Sequence, residues 1–254
     1  MGQVWVSAVG PEGVAALLIA CGIVFAAFFV RGYTGFGASL IAVATLTFLW
    51  PPAVVVPVIF GLEILASLAL LPGVWRQVNW SSLKLLCLGT LVATPLGIFA
   101  LTAIPAKTMT VVIAVLVAVA AITLLVGVKS RLTPGPVTTL ATGGLVGLLN
   151  GATAIGGPPA VLFYFSNAAG IATGRASLIA FFFVTDVIAL GFAGASGLYE
   201  NATIPRVAIL APAMLAGAFA GARAFRFADP ETVRRAALIL LLVMAAVRLV
   251  GVFR

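Results

Sequence analysis

Apolar runs of about 18 to 22 residues follow one another along this chain almost from end to end. That is the length an α-helix needs to cross a hydrocarbon core roughly 30 Å thick. Backbone in lipid must satisfy its own N–H and C=O groups, so only helices and closed barrels can span. The runs are continuous rather than alternating at period two, which excludes a barrel. Composition agrees: 63% of the 254 residues are hydrophobic and 8% charged, where a soluble domain carries about 25% charged. The expected fold is all-α, a polytopic helical membrane protein.

One stretch breaks the pattern. NGATAIGGPPAVLFYFSN, from Asn150 to Asn167, places Gly156-Gly157-Pro158-Pro159 inside an apolar run. RGYTGFGASLIAV, from Arg31, aligns with it at an offset of 119: Gly32 on Gly151, Thr34 on Thr153, Gly37 on Gly156. Farther along, Glu63 meets Asp186, Gly97 meets Gly221 and Gly127 meets Gly251, at offsets of 123 to 124. The order of landmarks predicts two membrane repeats, 1–130 and 131–254, joined through the polar segment KSRLTPGP. Internal duplication of this kind is common in secondary transporters.

Apolar segments fall at 13–30, 38–50, 53–71, 83–102 and 108–128 in the first half, and at 136–149, 158–166, 176–196, 204–222 and 232–250 in the second. If all five turn the chain around, the count is odd and the second repeat is inverted. Charge favours this arrangement. One face then receives Arg31, Arg76, Lys84, Lys129, Arg131, Arg175, Arg223, Arg226, Arg234 and Arg235, and the other only Lys107, Arg206, Arg248 and Arg254. Four crossings per half split the charges almost evenly. The positive-inside rule makes the rich face cytoplasmic. The expectation is therefore a multi-pass inner-membrane protein with both termini periplasmic or exterior. The net charge of +8 follows from this bias and implies no nucleic-acid partner.

Helix-breaking backbone at membrane depth is tolerated where protein buries it or it lines a cavity. After Gly156-Gly157 a short helix is expected to start, with Pro158 suited to its first position. After Gly35-Phe36-Gly37-Ala38 another starts, with Ser39 able to cap it. Helix N-termini offer free N–H groups and a favourable dipole to anions, and glycines let a ligand approach the backbone. In an inverted repeat the two ends face one another near the midplane, which makes a site for a small anion. Close packing of helices is the competing explanation. The candidate substrate-binding residues are Arg31, Thr34, Gly35, Gly37, Ser39, Asn150, Thr153, Gly156, Gly157 and Pro158, with Ser166 and Asn167 as further neutral donors. Arg31 stands equally well as a charge marker at a helix end. Glu63 and Asp186 are intramembrane carboxylates, which usually face a cavity or a partner. They are candidates for proton coupling, with a purely structural hydrogen bond as the alternative.

Other chemistries find little support. The chain has no histidine, so common zinc sites and Ser-His or Cys-His catalysis are out. No metal, cofactor or nucleotide-binding loop is expected, and the chain does not read as an enzyme. Cys21 and Cys87 lie in apolar runs without a nearby Lys or Arg, as packed inert thiols do. A membrane sulfur-relay or enzyme component using one of them is the rival from another class. Met1 to Glu12 lacks a basic n-region, so no cleaved signal is expected. Leu18 to Cys21 imitates a lipoprotein site without its basic flank.

The duplicated glycine breaks, the length and the apolar architecture resemble the sulfite exporter TauE/SafE family of membrane permeases. GLLNGATAIGGPPAVLFYFS, from Gly147 to Ser166, resembles the second glycine motif of the branch that carries Gly-Gly-Pro there. Gly35-Phe36-Gly37-Ala38-Ser39 departs from the family's consecutive glycines in the first motif. The resemblance implies export of small sulfur-containing anions, sulfite or organosulfonates such as sulfoacetate. A permease for another small organic anion or carboxylate is the alternative. Beyond the anion and the bilayer, a homodimer partner stays open.

Overall fold

The computed structural model describes residues 13–126, 135–165 and 171–225. Among them are nine α-helices and no strand: α1 Gly13–Thr34, α2 Ala38–Leu46, α3 Pro52–Leu70, α4 Trp80–Ala103, α5 Ala106–Leu125, α6 Pro136–Thr153, α7 Gly157–Phe165, α8 Ile171–Ala195 and α9 Thr203–Ala224. Two short 3-10 turns, Leu71–Gly73 and Trp75–Gln77, join α3 to α4. The segment expected at 232–250, the joining segment from Lys129 up to Pro134, and Ser166 and Asn167 lie outside the described residues.

Local signals set the helix starts. Pro52 and Pro136 open α3 and α6, where the missing N–H is one that no helical bond would use. Asn79 caps α4 by accepting the Ser82 N–H at 3.3 Å, and the Thr138 hydroxyl accepts the Gly135 N–H at 2.9 Å before α6. Among the described residues six spans are long and apolar enough to cross a membrane. By contrast α2 and α7 have nine residues each, about 14 Å at 1.5 Å per residue, too short to cross alone. Large apolar side chains such as Val92, Leu96 and Phe99 on α4 face outward, as lipid-facing positions do.

Among the described residues the first half runs long, nine-residue, long, long, long and the second long, nine-residue, long, long. Their packing is reciprocal: α1 lies along α9 and α6 along α4, so the first helix of each half packs on the fourth of the other. Likewise α4 packs on α8 and α9 on α3, while α3 and α8 pack on each other. Glycines make the two long seams, because a Cβ there would meet backbone. Gly217 seats against Phe25 and Phe29, and Gly221 against Phe29 and Tyr33. Gly143 seats against Leu86, Gly147 against Thr90 and Gly151 against Thr94. This is the close approach that small residues allow in membranes.

The same contacts give direction. Along both seams the partner numbers rise together, so α1 runs with α9, and α4 with α6. Near the start of α8, Arg175 donates to the Gly32 carbonyl at 2.6 Å while the Ser177 hydroxyl accepts the Asn79 N–H at 2.9 Å. The end of α1 and the start of α4 therefore lie at the same level.

Candidate functional site

The two breaks share one hydrogen-bond scheme. The Gly35 N–H donates to the Arg31 carbonyl and the Ala154 N–H to the Asn150 carbonyl, each at 2.7 Å. The Thr34 hydroxyl donates to the Val30 carbonyl and the Thr153 hydroxyl to the Leu149 carbonyl, each at 2.8 Å. Those hydroxyls then accept the N–H of Phe36 at 3.3 Å and of Ile155 at 3.2 Å. Each pair of equivalents is 119 residues apart. Thr34 and Thr153 thus hold the unwound turn, and their hydroxyl protons are engaged by backbone.

The N-termini differ from the sequence expectation in detail. Gly37, at φ 95°, is the cap of α2. Ser39 sits one residue inside the helix instead, where its hydroxyl and N–H face Glu63. Positive φ is needed at Gly35 and Gly37 in the first break, but in the second it falls on Ala154, not on Gly156 or Gly157. Gly157 opens α7 and Pro158 follows as its second residue. Pro158 and Pro159 carry no N–H, so α7 keeps its dipole but offers fewer donors than Ala38, Ser39 and Leu40 do in α2. A Cβ on Gly156 would lie 2.8 Å from Val146 Cγ1 and 2.9 Å from Asn150 Cβ, whereas one on Gly157 would lie 3.9 Å from Phe182. The first glycine is closely packed; at the second, also buried, a Cβ would meet the Phe182 ring at ordinary contact distance.

Between the breaks lies a buried polar core. Arg31 forms an ion pair with Glu63 and donates through Nη2 to Ser67 Oγ at 2.6 Å. The Phe182 ring lies 5.6 Å from its guanidinium carbon. Arg31 Nε and the Glu63 carboxylate oxygens have no hydrogen-bond partner of normal geometry. Asn150 donates to Asp186 at 2.9 Å. The Asp186 carboxylate interacts electrostatically with both Glu63 and Arg31. Arg31, in the last turn of α1, is therefore buried and paired there.

Register is corrected too. Arg31 to Ser67 and Asn150 to Asp186 are hydrogen bonds spanning the same 36 residues. At the offset of 119 that holds through the breaks, Ser67 is the counterpart of Asp186, and Phe182 that of Glu63. The two acids lie one helical turn out of register, not at matching positions. Gly97 and Gly221 are counterparts as expected: Gly97 seats against Leu148 and Ala152, Gly221 against Phe29 and Tyr33. The five additional residues of the second half enter between these points, where α8 has 25 residues against 19 in α3.

Sequence reading missed Ser67 and Phe182. Their only signal was the offset of 119, which it had let drift before reaching the third helix. It also missed Arg175, which places its Cγ 2.7 Å from where a Gly35 Cβ would be. Cys21 and Cys87 are free thiols, each partly buried.

A duplicated, glycine-broken helical bundle with an intramembrane Arg–Glu pair narrows the comparison. The family described as "Sulfite exporter TauE/SafE" matches residues 19–248. The chain belongs to the TauE/SafE family. Members of this family are membrane transporters, not enzymes. A "Probable sulfite/organosulfonate exporter TauE" from Cupriavidus necator (strain ATCC 17699 / DSM 428 / KCTC 22496 / NCIMB 10442 / H16 / Stanier 337) is 26% identical over 213 residues, covering 80% of this chain and 82% of the relative. No solved structure matches the chain. The TauE/SafE match runs through both breaks and the polar core between them.

Proposed function

We propose that this TauE/SafE chain is a secondary transporter that exports small sulfur-containing oxyanions, sulfite or organosulfonates. The substrate class comes from the family description and from the name of the relative. The anion is held in the first break, by Arg31 and the N-terminus of α2 with Gly35, Gly37 and Ser39 around it. Gly156, Gly157 and Pro158 close the site from the second half. The observation that carries this reading is Arg31, 1% exposed and with Nε unpartnered, beside a helix N-terminus. A guanidinium gives an oxyanion a planar fork of donors, and the helix end adds N–H groups and dipole.

Alternating access rests on the duplication. Parallel seams α1–α9 and α4–α6, with the end of α1 level with the start of α4, support two inverted five-segment repeats. In that arrangement α2 and α7 are the short return segments. Among the described residues Arg76, Lys84, Arg175 and Arg223 then share one face, against Lys107 and Arg206 on the other. This supports a cytoplasmic rich face and exterior termini.

The test is a thermal-shift titration of the purified protein with sulfite, methanesulfonate, sulfoacetate, sulfate and short carboxylates. A ligand at a hundred times its dissociation constant stabilises by about 2.7 kcal/mol. Arg31→Gln should abolish the shift. A shift unchanged in that variant would place the site elsewhere, and a response to carboxylates alone would transfer the reading to that class.

A further inference from the structure

We infer that Glu63 is a tethered stand-in for the substrate: its carboxylate occupies the anion seat in the closed protein, and the incoming anion displaces it. The inference rests on the proposed seat at Arg31 and deepens it. Three observations meet there. Glu63 pairs with Arg31, the residue that would bind the oxyanion. Its carboxylate also faces the hydroxyl and N–H of Ser39, in the first turn of α2. It thus sits on the very groups an external anion would use. Arg31 Nε, buried beside the pair, has no hydrogen-bond partner and can meet a further acceptor.

The duplication supplies a control. At the position equivalent to Glu63 the second half has Phe182, and α7 carries prolines without N–H groups at its second and third residues, Pro158 and Pro159. The half whose short helix keeps these N–H groups places an acid at this position; the half that lacks two of them places Phe182 there and carries its own acid, Asp186, one turn later. Position is therefore tied to the seat and not to the helix scaffold that both halves share.

Displacement has a chemical consequence. Arg31 from α1 and Asp186 from α8 are the charged groups that act on Glu63. From α2 it faces Ser39, and α9 brings Val207 against neighbouring Gly61. Once the substrate holds Arg31, the released carboxylate has no cation left and stands beside Asp186. An unpaired carboxylate is not tolerated in such a place. Glu63 takes up one proton from solvent, becoming a neutral acid, as one anion binds. The charge on Arg31 is balanced throughout, first by Glu63 and then by the substrate. Anion binding and proton uptake are linked one to one, and the reverse holds on release.

The experiment measures protons taken up as methanesulfonate binds to the purified full-length protein, by calorimetry in buffers of different ionisation enthalpy. Methanesulfonate stays ionised throughout, so its own titration does not enter. Wild type should take up about one proton per anion, with affinity rising as pH falls. Glu63→Gln should bind tenfold or more tightly, with no proton uptake and no pH dependence. The double variant Arg31→Gln/Glu63→Gln should fold and not bind. Wild-type binding without proton uptake overturns the stand-in, and so does a Glu63→Gln protein that matches wild type in affinity and uptake. If Arg31→Gln binds like wild type, the seat itself is wrong. If Arg31→Gln loses binding while wild type takes up no proton, the seat stands and only the stand-in falls. Should Glu63→Gln fail to fold, the wild-type proton count decides alone. Wild type that binds neither methanesulfonate nor sulfite overturns both readings.

Discussion

Arg31 on α1 and Glu63 on α3 form an ion pair whose side chains are 1% and 3% exposed. Two desolvated charges gain little net stability over apolar residues of similar size, and a charged pair inside a membrane is a candidate for function. Ser67 donates nothing to Glu63 and instead accepts from Arg31, so the guanidinium stays anchored when its acid partner leaves.

The first prediction is thermodynamic. Arg31→Met leaves Glu63 buried without its cation and should cost about 3–5 kcal/mol. Arg31→Met/Glu63→Leu removes both charges and should recover most of that loss. Denaturant unfolding in detergent measures both. A double variant as unstable as the single one would show that the pair is a structural necessity.

The second compares two equivalent turns. Ala154 has φ 57° and Gly35 has φ 87°. A side chain in this region costs roughly 1–2 kcal/mol. Ala154→Gly should therefore raise the melting temperature. Gly35→Ala should lower it by more than that backbone cost, since its Cβ would also meet Arg175 Cγ at 2.7 Å.

The third separates two adjacent glycines. Gly156→Ala forces Val146 and Asn150 to shift and should destabilise by about 1–3 kcal/mol, as overpacking does. Gly157→Ala meets only Phe182, at 3.9 Å, and should fold normally. Gly157→Val should fold yet weaken anion binding, by pressing on the ring that covers Arg31. Thermal unfolding and methanesulfonate titration of the three variants check this. Equal losses of stability at both positions would contradict the packing.

The fourth concerns topology. Gln77, in the connection from α3 to α4, and Asn201, in the connection from α8 to α9, are both exposed. In inverted repeats these equivalent connections lie on opposite faces; in parallel repeats they share one. With Cys21 and Cys87 replaced by Ser, an impermeant thiol reagent on intact cells should label Asn201→Cys and spare Gln77→Cys. Labelling of both, or of neither, would rule out inversion.

The sequence by itself determined the membrane class, the family and the two breaks. Long apolar runs leave the backbone no option but helices, and glycine with proline in such a run stops a helix wherever it folds. Helix starts at 136, 157 and 203 fell within a residue of expectation because proline, glycine and polarity mark them locally. The polar core was legible only in part. Arg31, Glu63, Asn150 and Asp186 stood out because charge and amide are rare in lipid. Who pairs with whom did not, since helices 32 or 36 residues apart in sequence meet through tertiary packing. That packing alone decided that Glu63 faces Ser39 at the start of α2, and that Ser67 and Phe182 meet Arg31 in the polar core. It also shifted the acids out of register: the additional residues of the second half lie beyond Asp186, a placement fixed by which glycine meets which backbone and not by any local propensity.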